Sequence, residues 1–181
     1  MGDSVLIIGA GPIGAMHASL SKAKGASKII LADIQDERLE LAAQNGANYL
    51  INSNKEDLVK KVFEITKGQG VDVAIAACSA PSAQQQAIEV TKKCGKVSLF
   101  AGLPRDKSIN PINTNRAHYN EISIFGAFGS TIPQHMIAKN LLQNNIIDAS
   151  KLITEVISLD DIVDGIKMVK SGKGLKTVVK M

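Results

Sequence analysis

A glycine-rich turn near the start of the chain constrains the fold more than any other feature. An apolar run leads into it, V-L-I-I-G-A-G-P-I-G, and places Gly9, Gly11 and Gly14 in G-x-G-x-x-G order. A helical stretch and a second apolar run, K-I-I-L-A, follow, and Asp33 ends that run nineteen residues after Gly14. A strand, a glycine turn, a helix, a strand and an acidic residue in this order predict a dinucleotide-binding βαβ unit.

Each glycine of this turn has a separate expected role. Gly9 permits the tight turn out of the strand, Gly11 leaves the backbone open to a pyrophosphate, and Gly14 lets the helix lie close to the strand. The start of the helix supplies free N–H groups and a positive dipole end for the phosphates. A carboxylate at Asp33 can accept hydrogen bonds from both hydroxyls of the adenosine ribose. These four residues therefore form a candidate dinucleotide site.

The residues after Asp33 indicate which nicotinamide cofactor fits. A 2′-phosphate would be repelled by the Asp33 carboxylate and would need a neighbouring cation, but the next cation along the chain is Arg38. We therefore predict NAD rather than NADP. Arg38 has two interpretations that the sequence leaves open. It is either a cation that stacks or pairs near the adenosine, or an exposed helix arginine near Glu37 and Glu40.

Beyond Asp33 the sequence keeps alternating between helical stretches and apolar strands. Five β-α repeats in succession predict a parallel sheet with helices on both faces. One helix is expected to open at an S-x-x-E capping box, Ser53 to Glu56. The expected elements are a helix over 36–45, a strand over 49–51, a helix over 53–66, a strand over 71–77, a helix over 81–92 and a strand over 96–101.

The regular alternation of strands and helices ends in the second half of the chain. Residues 104–120 are expected to form a long polar connection, followed by a sixth strand over 122–128. We therefore predict a complete doubly wound, six-stranded α/β domain of the Rossmann type over residues 1–128. Residues 129–181 are predicted to form a C-terminal α+β appendage with no obvious sheet of its own. Its expected elements are a helix opened by Thr131 and Pro133, a strand over 152–157, a helix capped by Ser158 and a strand over 176–180.

Composition excludes several classes of partner. The net charge of +4 suits nucleic-acid binding, but only 3% of the residues are aromatic and no arginine-rich stripe is present, so we expect no nucleic-acid partner. No apolar run could span a membrane and no leader opens the chain, so we expect a soluble, cytoplasmic protein. Cys78 and Cys94 are expected near opposite ends of one helix, which makes a disulfide between them unfavourable.

Several stretches resemble the zinc-dependent medium-chain dehydrogenases, and the polyol group with sorbitol, butanediol and threonine dehydrogenases most of all. They are the glycine turn, A-D-I-Q-D-E-R-L-E-L-A-A-Q-N-G-A, G-K-V-S-L-F-A-G-L-P, N-E-I-S-I-F-G-A-F-G and the ending from L-I-T-E-V-I-S-L-D-D to the C-terminus. The resemblance spans essentially the whole chain but only about half of the family's usual length. In the family a GroES-like catalytic domain comes first, so we expect a piece of a longer protein or a truncated gene product.

The resemblance also implies where the cofactors bind. Catalytic zinc in the family is held by the domain that has no counterpart here, and His17, His118 and His135 have no spacing suited to a zinc site. We therefore expect zinc only in that other domain and no catalytic residue in this chain. The implied NAD contacts are Pro12 and Ile13 at the pyrophosphate; Ala77, Cys78 and Ser79 between adenosine and nicotinamide; Ala101, Gly102 and Leu103 under the nicotinamide; and Ala127 and Phe128 at its carboxamide.

The sequence thus favours the NAD-binding domain of a zinc-type alcohol or polyol dehydrogenase, which passes hydride between a secondary alcohol and NAD in the full enzyme. The isolated chain is expected to be inactive. The alternative is a stand-alone NAD-responsive regulatory or binding module. A short-chain dehydrogenase is excluded, because Tyr49 and Tyr119 are followed four residues on by serine instead of lysine. The apolar sixth strand lacks lysine and proline, and in the family it pairs across a two-fold axis, so we expect a homo-oligomer joined at this edge.

Overall fold

Two sheets and seven helices make up the structure, a computed structural model that describes residues 1–181. The elements of the larger part are β1 (Ser4–Ile8), α1 (Pro12–Ala23), β2 (Lys28–Asp33), α2 (Asp36–Ala43), β3 (Tyr49–Asn52), α3 (Leu58–Ile65), β4 (Val71–Ala76), α4 (Pro81–Val90), β5 (Thr91–Leu99), α5 (Thr114–Tyr119) and β6 (Ser123–Gly126). They are followed by α6 (Ile132–Gln143), β7 (Ile153–Ser158), α7 (Ile162–Lys170) and β8 (Lys176–Lys180).

The large sheet has six parallel strands in the order β3-β2-β1-β4-β5-β6. This confirms the predicted doubly wound α/β fold. The strand order reverses between β1 and β4, and such a switch point opens a crevice at the carboxyl ends of the strands where ligands bind. The glycine turn follows β1 directly, so it lies at this crevice.

The sheet separates two apolar cores. Every residue of β1 is buried, and because successive side chains of a strand point to opposite faces, Leu6 and Ile8 enter one core while Val5 and Ile7 enter the other. The first core lies against α3 and α4, and the second against α1 and α2. A strand buried on both faces explains why the sequence shows a continuous apolar run instead of alternation.

The start of α3 differs from the prediction. The helix begins at Leu58 and not at Ser53, because the carboxylate of Asp57 accepts the N–H of Lys60 at 3.0 Å and so caps it. The predicted capping box lies instead in a turn, in which the carbonyl of Asn52 accepts the N–H groups of Lys55 and Glu56, each at 2.9 Å. The Ser53–Glu56 prediction was therefore wrong.

The end of α4 also differs from the prediction. The helix ends at Val90, two residues before the predicted end, and β5 begins at Thr91. The Thr91 hydroxyl donates to the carbonyl of Ala87 at 2.6 Å and closes the last turn. The register of β5 on β4 then shifts, and Cys94 adopts a left-handed φ of 59° with its N–H donating to the carbonyl of Asn120. Cys94 is thus in a strand irregularity, not at a helix end; both cysteines are free thiols.

The connection before β6 contains more structure than its polar composition predicts. Residues Arg105–Lys107 form one 3₁₀ turn, and α5 is capped by the side chain of Asn113, which accepts the N–H of Arg116 at 3.0 Å. Asparagine favours helix N-termini as well as loops, so its abundance here was misleading. Strand β6 is shorter than predicted and leaves Ala127 and Phe128 in the following loop.

The C-terminal segment has a sheet of its own, contrary to the prediction. Strands β7 and β8 pair in parallel across α7. Helix α6 opens at Thr131 with a capping box to Gln134, as expected, but α7 begins after Asp161, and the Ser158 hydroxyl donates to the Asp161 carboxylate instead of capping the helix. Leu152 and Leu175 are buried in the core beneath α1 and α2, which ties this segment to the large sheet. No helix has the length and apolar character needed to cross a bilayer.

Candidate functional site

The turn between β1 and α1 needs glycine at two positions. Gly9 has a φ of +111°, a conformation that residues with a side chain rarely adopt. A Cβ on Gly14 would lie 1.8 Å from the carbonyl oxygen of Gly9, so helix and turn touch backbone to backbone. These are the roles the sequence predicted for both residues, and together they hold the start of α1 against the end of β1.

Gly11 differs from these two glycines because space is open beside it. Its φ of −71° suits any residue, and a Cβ there would meet no atom within 4 Å. Gly11 is also the N-cap of α1, with Pro12 at the first helical position, and neither a capping side chain nor an acidic residue occupies the first turn. The N–H groups of the first turn that lack an acceptor, together with the positive end of the helix dipole, therefore face open space. This arrangement suits the binding of a pyrophosphate.

Asp33 is nine-tenths buried. Its carboxylate holds the backbone of the glycine turn and keeps room for a ligand. One carboxylate oxygen accepts the N–H of Ala10 at 2.7 Å, and the other accepts those of Ile34 and Gln35 at 2.7 and 3.1 Å. A carboxylate offers about four acceptor positions, so about one is left for a ribose hydroxyl. Asp33 thus fastens the glycine turn to β2, a role that the sequence analysis missed.

A cleft of about 470 Å³ opens beside this turn, at the carboxyl ends of β1, β2, β3 and β4. The predicted site residues that line it are Gly9, Asp33, Arg38, Cys78 and Ser79. Residues that were not predicted to belong to the site line it too: Ile34, Ser53, Asn54, Ser82 and Gln86. The Asn54 amide donates to the carbonyl of Ile34 at 3.2 Å, which joins the loops after β2 and β3. A sequence signal existed for Ile34, Ser53, Asn54 and Ser82, because they follow predicted strands or begin a predicted helix. It did not exist for Gln86, which lies in the second turn of α4.

Arg38 lies on α2 with its side chain on the cleft. The exposed-helix interpretation placed it near Glu37 and Glu40, but it forms no ion pair with either. Its guanidinium has no hydrogen-bond partner in the chain and is therefore available to a ligand. Arg38 is therefore a half-buried residue that lines the cleft.

Cys78 lies at the mouth of the cleft after β4. Burial raises the pKa of its thiol, and the nearby Asp33 carboxylate acts in the same direction, whereas a hydrogen bond from the Ala80 backbone lowers it. The thiol is therefore neutral near pH 7 and is not an activated nucleophile. This agrees with the interpretation of Cys78 as a small, partly buried apolar residue.

The residues assigned to the nicotinamide end also lie at the carboxyl ends of the strands, but outside this cleft. Ala101, Gly102 and Leu103 follow β5, and Ala127 and Phe128 follow β6. The carboxyl ends of parallel strands meet at one edge, so both groups lie on the glycine-turn side of the sheet. The remaining predicted contacts, Pro12, Ile13 and Ala77, lie at the glycine turn and after β4, likewise outside the cleft.

The histidines do not form a metal site. His17 packs edge-on against Phe100 with ring centroids 4.5 Å apart, and burial lowers its pKa. His118 packs against Tyr119, and His135 lies 2.9 Å from the Ser130 hydroxyl. No group of three or more His, Cys, Asp or Glu side chains within residues 1–181 is placed to hold a metal ion. The donor set of a zinc-dependent reaction does not fit this chain.

The comparisons with known proteins agree on one family. The family model described as zinc-binding dehydrogenase matches residues 12–145. The chain is 34% identical to L-threonine 3-dehydrogenase of Pyrococcus abyssi over 98% of its own length and 51% of the relative's. It is 34% identical to sorbitol dehydrogenase of Bacillus subtilis over 92% and 46% of the two lengths.

Solved structures give the same result. A protein from E. coli CFT073 described as a short chain alcohol dehydrogenase, solved as a complex with NADH, superimposes with a TM-score of 0.89 at 26% identity. The superposition covers 99% of this chain and 52% of the E. coli protein. The chain therefore spans about half the length of the relatives that it matches.

Proposed function

Because the chain belongs to the zinc-binding dehydrogenase family, we propose that it is the NAD(H)-binding part of a medium-chain alcohol or polyol dehydrogenase. The observation that supports this most is the open space beside Gly11 at the uncapped start of α1, next to a cleft with a buried carboxylate. The relative solved with NADH has the same fold and supports NADH as the cofactor. In this proposal residues 1–128 are the cofactor domain, and residues 129–181 are the segment that in the family returns to the catalytic domain.

Each part of the dinucleotide has a proposed place. The first turn of α1, with Gly11, Pro12 and Ile13, would receive the pyrophosphate, while Asp33 and Arg38 would receive the adenosine. The nicotinamide would extend along the sheet edge past Ala77, Cys78 and Ser79 to the residues after β5 and β6. NAD itself supplies a carbon that accepts hydride from a secondary alcohol, and this chain binds and orients the cofactor.

The isolated chain should bind NADH but should not turn over alcohols. The cofactor site is built from this chain, whereas no side-chain cluster is placed to polarise an alcohol through a metal ion. NADH binding is measured by fluorescence titration, and turnover by NADH production from sorbitol, 2,3-butanediol and threonine with added zinc. Zinc-dependent turnover by residues 1–181 alone would contradict the proposal.

The alternative, a stand-alone NAD-responsive module, also binds NADH without turnover. Similarity to threonine and sorbitol dehydrogenases continues through residues 129–181, since the match covers 98% of the chain, and this favours the enzyme. Co-expression with a GroES-like domain from a sorbitol dehydrogenase separates the two. Activity restored by that domain supports the enzyme, and a change in affinity for some other protein on NADH binding supports the module.

We also propose that the chain forms a homodimer through β6. This strand is the outer edge of the large sheet, and its Ile124 and Phe125 side chains are 36% and 51% exposed. Such an edge offers unpaired N–H and C=O groups to a second copy. Light scattering at micromolar concentration should give twice the monomer mass for the native chain and the monomer mass for Ile124→Lys. Ile166→Lys, on exposed α7, is the matched control and should stay dimeric; a monomeric native chain would refute this interface.

We propose a cytoplasmic protein that binds no nucleic acid, on the basis of its composition and of the low share of aromatic residues, 3%.

A further inference from the structure

The turn between α7 and β8 places Gly172 directly against the side chain of Arg38. A Cβ built on Gly172 would lie 2.7 Å from Nη2 of Arg38, 3.6 Å from Cζ and 3.8 Å from Nε. Nη2 is the nearest of these three atoms, so the missing Cβ leaves room for this end of the guanidinium, and a methyl group there would displace it. The φ of Gly172 is +79°, which also disfavours a side chain there.

Packing holds the turn beside α2, and hydrogen bonds within the C-terminal segment hold its shape. Leu175, three residues after Gly172, is buried in the same core cluster as Leu39, the neighbour of Arg38 on α2. The N–H of Leu175 donates to the Thr154 hydroxyl at 2.9 Å, and that of Gly172 to the carbonyl of Val169 at 3.1 Å. The position of the glycine beside Arg38 is therefore determined by the C-terminal segment.

Nothing else in the chain holds the guanidinium. Arg38 takes part in no ion pair, and it lines the cleft beside Asp33 and Ile34. An arginine side chain free on all sides samples many rotamers, and restricting them before a ligand arrives lowers the cost of binding. Because Gly172 has no Cβ, Nη2 can occupy this position beside the turn while the Arg38 side chain lines the cleft.

We propose that Gly172 is a positioning residue for adenine-nucleotide binding, acting through Arg38, so that the C-terminal segment forms part of the adenosine site. This inference rests on the proposed NAD(H)-binding function. The ligand class is a nucleotide with an aromatic base, because a planar guanidinium stacks on aromatic rings as an ammonium does not. The C-terminal segment, by this account, serves the cofactor within this chain as well as any contact with a catalytic domain.

The test is a double-mutant cycle read by calorimetry with ADP-ribose, which carries the adenosine and pyrophosphate but no nicotinamide. Gly172→Ala should weaken binding about three- to fivefold, the size of an exposed cation–π contact. The matched control is Gly68→Ala, because Gly68 has a similar φ of +82° and nothing within 4 Å of a Cβ. Both variants introduce the same backbone strain, so only Gly172→Ala should change the affinity.

In an Arg38→Ala background, Gly172→Ala should have no further effect, because the residue through which it acts is gone. Arg38→Lys should lose as much affinity as Arg38→Ala, because lysine keeps the positive charge but lacks the planar guanidinium group. Equal losses from Gly172→Ala with and without Arg38, or no loss at all, would overturn the inference while NADH binding by the native chain left the proposed function standing. A native chain that binds neither ADP-ribose nor NADH would overturn both.

Discussion

Replacing Gly11 with valine should weaken NADH binding at least about 100-fold while leaving the fold intact, a loss of about 2.7 kcal/mol. The space beside Gly11 is open in the structure, because a Cβ there would meet no atom within 4 Å, so we expect the protein to accommodate a small side chain. It would stand where the pyrophosphate approaches the start of α1 and would separate the phosphates from the N–H groups there. The measurements are NADH affinity by calorimetry and the midpoint of thermal unfolding.

Gly14→Ala is the counterpart of this variant and should show the opposite pattern. Its methyl group would clash with the Gly9 carbonyl, which is backbone and has little freedom to move. We expect a destabilisation of about 3 kcal/mol, visible as a lowered unfolding midpoint. If Gly11→Val bound NADH as well as the native chain, the pyrophosphate would not lie at the start of α1.

The chain should prefer NADH to NADPH by about 100-fold, and Ile34→Arg should raise NADPH affinity about tenfold. At the proposed ribose position the cleft presents the Asp33 carboxylate, which would repel a 2′-phosphate, and the 56% exposed Ile34 beside it offers no charge. An arginine at this position supplies the cation that a 2′-phosphate needs, and one such ion pair contributes about 1.4 kcal/mol. Fluorescence titration with both dinucleotides measures the two affinities.

Ile34→Arg is a cleaner test than a substitution of Asp33. The Asp33 carboxylate accepts three backbone N–H groups, so Asp33→Ala would narrow the NADH preference and loosen the glycine turn at once. Val163→Arg, on the exposed face of α7 and away from the cleft, adds the same charge and should leave both affinities unchanged. Equal affinity of the native chain for NADH and NADPH would refute the assignment of the ribose to Asp33.

The large sheet could be predicted because its strands and their first connection follow from short stretches of the sequence. Apolar runs such as those of β1 and β2 can be buried only within a sheet covered on both faces, and the glycine turn fixes how the first two strands connect. Boundaries were less predictable, because Ser53 and Asp57 are both good caps and only the competing turn at Asn52 decides between them. The pairing of β7 with β8 depends on contacts between distant residues, which periodicity does not reveal.

The candidate site shows the same division. The glycines and Asp33 could be predicted because their types and spacing follow from the shape of a dinucleotide, whereas the sequence left two interpretations of Arg38 open. The contribution of Gln86 could not be predicted, since it lies in the second turn of α4 and reaches the cleft only through the packing of that helix on the sheet. The hydrogen bonds from backbone N–H groups to the Asp33 carboxylate depend on side-chain geometry, and so does the contact of Gly172 with Arg38. Residue spacing in the sequence does not reveal this geometry.

The most direct test of the account is a crystal structure of residues 1–181 with NADH. The central claim is that the chain holds the cofactor across the switch point of the sheet. We predict pyrophosphate oxygens within about 3 Å of backbone N–H groups at the start of α1, with a ribose hydroxyl on Asp33 and the adenine beside Arg38. NADH bound elsewhere, or bound with its pyrophosphate away from Gly11, would contradict the claim.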